Sequence, residues 1–398
     1  MLIYSKKVED EIRLFGTLKN IPSEDDAQLI YTDAENVELE NRPTLDDTYL
    51  DNGKGGIIQK STGEEIKVFI DTTNVIPGDS SEPVPPTPVS GPYLIFSSAE
   101  PFSISTTNGS KSWDGTLEYS TDTENWNEWN GTEVNSSEDG KLYFRGSNNT
   151  IISFISMEED LNAWILTGNN ISCSGNIENL LDYQTVANGG HPQMGVGCFA
   201  GMFKGCTSLI AVPELPAATL AESCYLSMFD SCTSLTTAPE LPATTLTEGC
   251  YNGMFIECTS LTTAPELPAT TLADNCYSGM FSDCTVLITP PELPATILAE
   301  GCYYGMFYGC TSLTTAPELP ATTLAEDCYR QMFQGCTSLK LSETQTVDYA
   351  IPYRIPKEGV GIGTTDALTD MFTNTGGTFT GPPTINTTYY LHKDNHIV

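Results

Sequence analysis

A 26-residue unit repeats along the second half of this 398-residue chain, and each copy carries two cysteines. One copy begins CYYGMFYGCTSLTTAPELP at Cys302, and the next begins CYRQMFQGC at Cys328. A single unit of this size cannot bury its apolar side, so a fixed period predicts a solenoid in which neighbouring units share one core. Twelve of the thirteen cysteines fall into two columns: Cys198, Cys224, Cys250, Cys276, Cys302 and Cys328, and Cys206, Cys232, Cys258, Cys284, Cys310 and Cys336.

The first half of each unit has apolar residues at helical spacing. In one copy, Leu298, Cys302, Met306 and Cys310 follow one another at intervals of four. Residues three or four apart share one side of an α-helix. A left-handed glycine commonly follows the last turn of a helix, and Gly309 stands at that point. The pattern therefore predicts one short helix in each repeat.

The second half of each unit, TSLTTAPELP in this copy, predicts a short strand. Threonines favour extended backbone, and prolines are excluded from the middle of a sheet because they lack an N–H donor. The expected strand runs from Ser312 to Ala316 and is stopped by Pro317 and Pro320. Each unit is thus expected to contain one strand and one helical segment.

The spacing of the cysteines argues against disulfides within a repeat. On one helix, Cys302 and Cys310 would be about 12 Å apart along its axis, whereas a disulfide needs Cα atoms within about 7 Å. Bridges between repeats stay open, but buried free thiols acting as small apolar side chains fit the pattern better. Zinc binding is not indicated, because there is no CxxC motif and the three histidines lie outside the columns.

The run MFYGCTSLTTAPELP, residues 306–320, resembles the BspA-like leucine-rich repeats of bacterial surface proteins and some phage proteins. The shared features are an aromatic residue followed by Gly, Cys, Ser and Leu, then a short strand and a proline. The resemblance covers residues 198–340, while the APELPATTLA segment and the repeat length depart from the family pattern. It implies an α/β leucine-rich-repeat solenoid, and a role in binding or display rather than catalysis.

The chain is strongly acidic, with 52 Asp and Glu against 17 Lys and Arg and a formal net charge of -35. Nucleic acids and anionic lipids are bound through cationic side chains, so neither nucleic acid nor membrane is an expected partner. No run approaches the ~20 apolar residues of a membrane span. No nucleotide-binding, hydrolase or kinase motif occurs. With three histidines and no paired acid–base residues, we expect no enzyme, no cofactor and no metal site.

Changes in composition predict a β-rich, multidomain chain. Short β runs at the N-terminus, EIRLFGTL, AQLIYTDA, GGIIQKS and EEIKVFIDT, predict a small β domain, and alternating residues after a proline-rich stretch predict an Ig-like β-sandwich. The expected segments are the β domain at 1–76, a semi-extended linker at 77–92, the sandwich at 93–150, an N-terminal cap of the solenoid at 151–197, the repeats at 198–340 and a capping repeat at 341–398.

Three tryptophans of the expected sandwich, Trp113, Trp126 and Trp129, allow two interpretations. They either form a platform on which sugar rings stack, or they pack across a hairpin and into a small core. Packing is the commoner outcome for tryptophans in strands, so the core interpretation is favoured.

Comparison of the repeats with one another separates constant positions from varying ones. Met and Phe recur in every copy, whereas two positions four residues apart vary and are expected to share an exposed side. This stripe is either a recognition surface or neutral variation in solvent. A glutamate ladder, from Glu214 to Glu318 at the same period, either splays into solvent or holds cations. The candidate partner-binding residues are Leu226, Ile256, Tyr304, Tyr308, Arg330 and Gln334.

The N-terminal stretch SKKVEDEIRLFGTLKN, with GKGGIIQKSTGEEIKV further on, resembles the capsid-attaching domain of phage head fibre proteins. Charged residues interrupt the first apolar run, so no export signal is expected, and release by lysis within a virion fits such a chain. The resemblances imply a head fibre or capsid decoration that binds a phage capsid protein through residues 1–76 and forms a dimer or trimer. Its repeats would contact a host cell-surface protein or glycan. The alternatives are a tail-associated receptor-binding protein and a bacterial surface adhesin.

Overall fold

The structure, a computed structural model, describes residues 4–8, 11–15, 49–51, 57–59, 65–66, 69–71, 91–153, 163–364 and 366–398. The chain divides into two compact units, Met1–Pro85 and Pro86–Val398, and the boundary falls within the proline-rich segment. Strands in several small sheets make up most of the regular secondary structure of the described ranges, which contain one helix. The expectation of a β-rich chain is therefore confirmed.

Six short strands of the first unit form two three-stranded sheets. In chain order they are β1 (Tyr4–Val8), β2 (Glu11–Phe15), β3 (Tyr49–Asp51), β4 (Ile57–Gln59), β5 (Glu65–Ile66) and β6 (Phe69–Asp71). The sheet orders are β1-β2-β6, in which β2 and β6 are parallel, and β3-β4-β5, which is antiparallel. The predicted runs EIRLFGTL, GGIIQKS and EEIKVFIDT contain β2, β4, β5 and β6, while AQLIYTDA lies outside the described residues.

The N-terminal part of the second unit contains two sheets that pack on each other. The elements are β7 (Leu94–Ser97), β8 (Ser103–Thr106), β9 (Thr116–Ser120), β10 (Asn127–Trp129), β11 (Val134–Asn135), β12 (Lys141–Ser147), β13 (Trp164–Thr167), β14 (Ile171–Ser174), α1 (Asn179–Ala187) and β15 (Leu209–Ala211). The sheet orders are β10-β9-β12-β7-β14-β15 and β11-β8-β13. Trp164 of the smaller sheet lies 5.9 Å from Phe96 and 5.0 Å from Phe144 of the larger one, measured between ring centroids. We call residues 91–153 and 163–187 the two-sheet unit.

The larger sheet continues into the first repeat. β14 pairs in parallel with β15, and the amide of Ile171 donates to the carbonyl of Ser208 at 2.8 Å. The ring of Trp164 lies 6.3 Å from that of Phe203, and Cys206 Sγ donates to the carbonyl of Trp164. The two sheets and the repeats therefore share one core, and β13 and β14 cover the first repeat.

The cysteine-bearing half of each repeat is a series of turns and not a helix. The backbone φ is positive at every fourth residue, at +57° for Gly301, +56° for Gly305 and +70° for Gly309. The matching positions of other repeats keep a positive φ even where Ser or Gln occupies them, as at Ser227 and Gln331. A left-handed residue every four positions is incompatible with an α-helix. The predicted repeat helices, and with them the α part of the expected α/β solenoid, are wrong.

Backbone hydrogen bonds alternate along these turns. Within residues 301–310, each even-numbered amide donates to the carbonyl three residues back, as Met306 does to Tyr303 at 3.2 Å. Each odd-numbered amide donates to the next repeat, as Gly305 does to the carbonyl of Arg330 at 2.8 Å. Half of the amides thus close turns, and the other half bind neighbouring repeats together. The five that cross at this interface are those of Gly301, Tyr303, Gly305, Phe307 and Gly309.

The constant side chains stack in columns through the core. Phenylalanine rings from Phe203 to Phe372 follow one another at centroid distances of 5.6–5.8 Å. A second column runs from Phe199 through tyrosines to Tyr329 at 5.7–5.9 Å. All thirteen cysteines are free and buried, so the predicted burial of the twelve column cysteines is confirmed.

The other sides of the repeats contain little regular strand. The expected strand from Ser312 to Ala316 is reduced to β16 (Thr315–Ala316), and neighbouring repeats make single bridges such as that between Thr237 and Thr263. The prolines that follow each threonine pair supply no N–H donor, which keeps the pairing short. The last elements are β17 (Lys340–Ser342), β18 (Tyr349–Arg354), β19 (Gly376–Gly377), β20 (Thr388–His392) and β21 (His396–Ile397). Four of them form the sheet β18-β20-β17-β19, and β21 pairs in parallel with β16.

Candidate partner-binding surface

The outer side of the turns is built by a four-residue rule. In each repeat, the first two left-handed residues are each followed by two buried side chains and then by one that reaches the surface, except at Ala200 and Asp230. After Gly301 come the buried Cys302 and Tyr303 and the half-buried Tyr304, and the next group ends at Tyr308, which is 39% exposed. The two varying columns therefore lie side by side on one surface, which we call the turn stripe. All six candidate partner-binding residues belong to it, and their role stays a prediction.

The C-terminal part of the turn stripe combines aromatic rings with a cation. Arg330 Nη1 lies 3.3 Å from Asp327 Oδ1, and its guanidinium carbon lies 6.0 Å from the centre of the Tyr304 ring. The hydrogen bond from Arg330 to Asp327 and the Asp327 charge raise the pKa of this arginine. The Nε atom of Arg330 and the Oε1 atom of Gln334 make no hydrogen bond within the described ranges. Both atoms are buried, so they are enclosed within the surface and not presented to a partner.

The N-terminal part of the turn stripe is less open. Leu226 and Ile256 are half-buried. The column that contains Ile256 also contains Asp230, which the sequence places on the exposed side but which is 6% exposed. Its carboxylate lies 2.6 Å from Lys204 Nζ and also accepts from Ser231 Oγ. This ion pair explains the burial of Asp230, because a charged side chain is buried only when it is paired.

Three exposed apolar residues escaped the sequence interpretation. Val286, Ile288 and Ile297 are 38%, 55% and 58% exposed, and all three belong to the repeat that begins at Cys276. Serine or threonine stands at the matching positions of the preceding repeat. The difference between successive repeats at these positions, apolar residues in place of serine and threonine, is the sequence signal for this patch.

The glutamate ladder lies at the surface. Glu214, Glu240, Glu266 and Glu292 are exposed, and Glu318 forms an ion pair with Lys357. Within the ranges that the structure describes, no group of three or more His, Cys, Asp or Glu is placed to hold a metal ion. Exposure lets solvent screen the repulsion between successive carboxylates.

The tryptophans separate into core and surface. Trp113 and Trp129 are 3% and 1% exposed and stack with ring centroids 5.0 Å apart. Trp126 is half-buried on the outer side of the larger sheet. A platform of all three is therefore wrong, because two of the rings form part of the core.

The thiols are arranged for packing and not for reaction. In the second column, Cys258 and Cys310 donate to the carbonyls of Phe229 and Phe281 in the preceding repeat at 3.1 and 3.0 Å. Burial raises the pKa of Cys250 to about 11 and that of Cys258 to about 12. Since the thiolate is the nucleophile, these side chains are inert near neutral pH.

Comparison with family models, with curated proteins and with solved structures gives no significant match for this chain. Among the described residues, no helix has the length and apolar character needed to cross a membrane.

Proposed function

We propose that this chain is a non-enzymatic structural protein of a tailed-phage virion, a head fibre or capsid decoration that presents its repeats to the host surface. The first unit attaches to the capsid protein through residues 1–76 and forms the dimer or trimer. The second unit presents the turn stripe to a host protein or glycan. Its two-sheet unit is an Ig-like sandwich, and its repeats are a variant leucine-rich-repeat solenoid in which turns replace the helix.

One observation supports a display role best. The buried side chains that stack between repeats are nearly constant, while the outward positions change from one repeat to the next. A scaffold of this kind holds the surface rigid and leaves its chemistry free to vary, which suits recognition. Large aromatic and arginine side chains are the types that most often anchor interfaces. Tyr304, Tyr308 and Arg330 place such groups on one part of the turn stripe.

Two alternatives share this display role and differ in attachment. A tail-associated receptor-binding protein would carry the repeats at the tail tip, and a bacterial surface adhesin would carry them on a cell. The sequence resemblance to BspA-like repeats fits all three, and the resemblance of the N-terminal stretch favours the capsid.

Immunogold labelling of purified particles distinguishes these proposals. Antibodies raised against the full chain should label the capsid surface of intact virions. Gold confined to tails would instead identify the chain as the tail-associated receptor-binding protein. Label on cells that carry no phage, together with no label on purified particles, would identify the chain as a bacterial surface adhesin.

A further inference from the structure

Four aromatic rings gather on the outer side of the larger sheet, away from the repeats. The Tyr93 ring lies 5.8 Å from Trp126 and 5.2 Å from Tyr143, between ring centroids. The guanidinium carbon of Arg145 lies 4.0 Å from the centre of the Trp126 ring and 4.4 Å from that of Tyr183. All five side chains are half-buried, so they form a surface and not a core. We call this set, together with Glu118, the aromatic face.

The fold brings these residues together from separate elements. Tyr143 and Arg145 alternate on β12 with the buried Leu142 and Phe144, which directs them away from the core. Arg145 stands opposite Glu118 of β9 in the register, and Arg145 Nε donates to Glu118 Oε2 at 2.8 Å.

Several polar atoms of the aromatic face have no partner in the part of the chain that the structure describes. These are both terminal nitrogens of Arg145, the second carboxylate oxygen of Glu118, and the hydroxyl groups of Tyr93 and Tyr143. Arg145 is meanwhile fixed by two rings and by its Nε bond. A rigid donor fork and an acceptor are thus presented beside flat apolar rings.

This combination matches a pyranose ring. The C–H side of a sugar ring is flat and apolar and packs on an aromatic face, while its hydroxyl groups both donate and accept hydrogen bonds. Ligand sites commonly pair aromatic surface with a few fixed polar groups in this way.

The charges indicate which sugars fit. Glu118 neutralises Arg145, and Glu128 stands opposite Glu118 on β10, so the aromatic face has no excess of positive charge. The whole chain carries -35. An anionic sugar would therefore meet repulsion that a neutral one avoids.

We propose that the aromatic face is a binding site for neutral saccharides. It goes beyond the proposed function, in which the turn stripe makes the partner contact, because it adds a second site on a different part of the molecule. Binding here requires neither a virion nor the turn stripe, so the two proposals can fail separately.

The test uses the full chain and defined oligosaccharides. Cello-, xylo-, manno- and fully N-acetylated chito-oligosaccharides serve as neutral probes and sialyllactose as the anionic one. Binding is measured by isothermal titration calorimetry. Acrylamide quenching of tryptophan fluorescence locates the site, because Trp113, Trp129 and Trp164 are buried and Trp126 alone is accessible. A bound neutral saccharide should protect Trp126 from the quencher.

Two variants and one matched control complete the test. Trp126→Ala should weaken binding of the neutral saccharide about tenfold or more, as expected for loss of an aromatic anchor. Glu118→Gln keeps the side-chain shape and removes the charged acceptor, so it should also weaken binding. If Trp126→Ala does not fold, Glu118→Gln provides the deciding measurement. Val347→Ser, which changes a 91% exposed side chain outside both the aromatic face and the turn stripe, should leave saccharide binding unchanged.

The proposal is overturned by any of three results. One is that no neutral probe binds the wild-type chain at millimolar concentration. Another is that sialyllactose alone binds. The third is that folded Trp126→Ala and Glu118→Gln bind neutral saccharide as tightly as the wild type does.

Discussion

Replacing Gly305 by alanine tests the turn architecture of the repeats, because the turn and helix architectures predict stability changes of opposite sign. Gly305 has a φ of +56°, and a Cβ added there would meet its nearest neighbour, Tyr308 Cβ, at an ordinary 3.8 Å. Space is therefore available, and the cost comes from the left-handed backbone, about 1–2 kcal/mol for an L-residue. In a helix the same change would stabilise by about 0.5–1 kcal/mol.

The equivalent position of the next repeat supplies a matched control. Gln331 has a φ of +57°, so Gln331→Gly should relieve strain and stabilise the unit, whereas in a helix it would destabilise by about 1 kcal/mol. Gly309→Ala should cost more than Gly305→Ala, because its Cβ would lie 2.1 Å from Asp283 Oδ1. The turn and helix architectures thus predict changes of opposite sign in the free energy of unfolding, both for Gly305→Ala and for Gln331→Gly.

Urea unfolding followed by circular dichroism measures these changes. The midpoint should fall for Gly305→Ala and rise for Gln331→Gly, at an unchanged slope. The melting temperature should move by about 2–4 °C for each kcal/mol. A higher midpoint for Gly305→Ala together with a lower one for Gln331→Gly would refute the turns and restore the helix.

Four further predictions concern the thiols, the aromatic columns and the turn stripe. Thiol titration at pH 8 should find few reactive cysteines in the native chain and thirteen after unfolding; thirteen in the native chain would contradict burial. Because burial raises the folded pKa, as to about 11 for Cys250, the free energy of unfolding should be highest below the ordinary thiol pKa of about 8.5 and decline as the pH rises above it. Phe255→Leu loses two ring contacts of 5.7 Å and should cost about 1–3 kcal/mol beyond its change in burial, and an unchanged urea midpoint would show that the stacking contributes nothing. The double change of Tyr304 and Tyr308 to Ser should leave the chain folded, at a cost of no more than about 0.5 kcal/mol at the exposed Tyr308, and should weaken adhesion to host cells. Normal adhesion would leave the stripe without a role.

The spacing of apolar residues gave the correct buried side of the repeats and the wrong backbone. A true helix turns about 100° per residue, so Cys302 and Cys310 would lie about 80° apart around its axis. In the structure both are fully buried, because the turns repeat every four residues and not every 3.6. The missed signal was Gly301, Gly305 and Gly309, since glycine at every fourth position is costly in a helix and favourable in left-handed turns.

The tryptophans show a second limit of sequence interpretation. Trp126 and Trp129 are three residues apart, and in extended backbone an odd separation directs side chains to opposite sides. That parity is consistent with one ring in the core and one on the surface. The platform interpretation had grouped the two rings because they are close in the sequence. The partners of Trp126, namely Tyr93 and Arg145, come from distant segments, and no local pattern brings them together.

The alternating amides also determine how the repeats respond to force. At the interface after Gly301–Gly309, five N–H groups on one side of the stack all point to the following repeat. A pull along the stack would load this interface and the matching ones between the other repeats in series. Each repeat that yields would release 26 residues, a contour length of about 90 Å, while the remainder keeps its shape. Under drag, such a chain lengthens in equal steps and absorbs work at each step, as a shock-absorbing tether does.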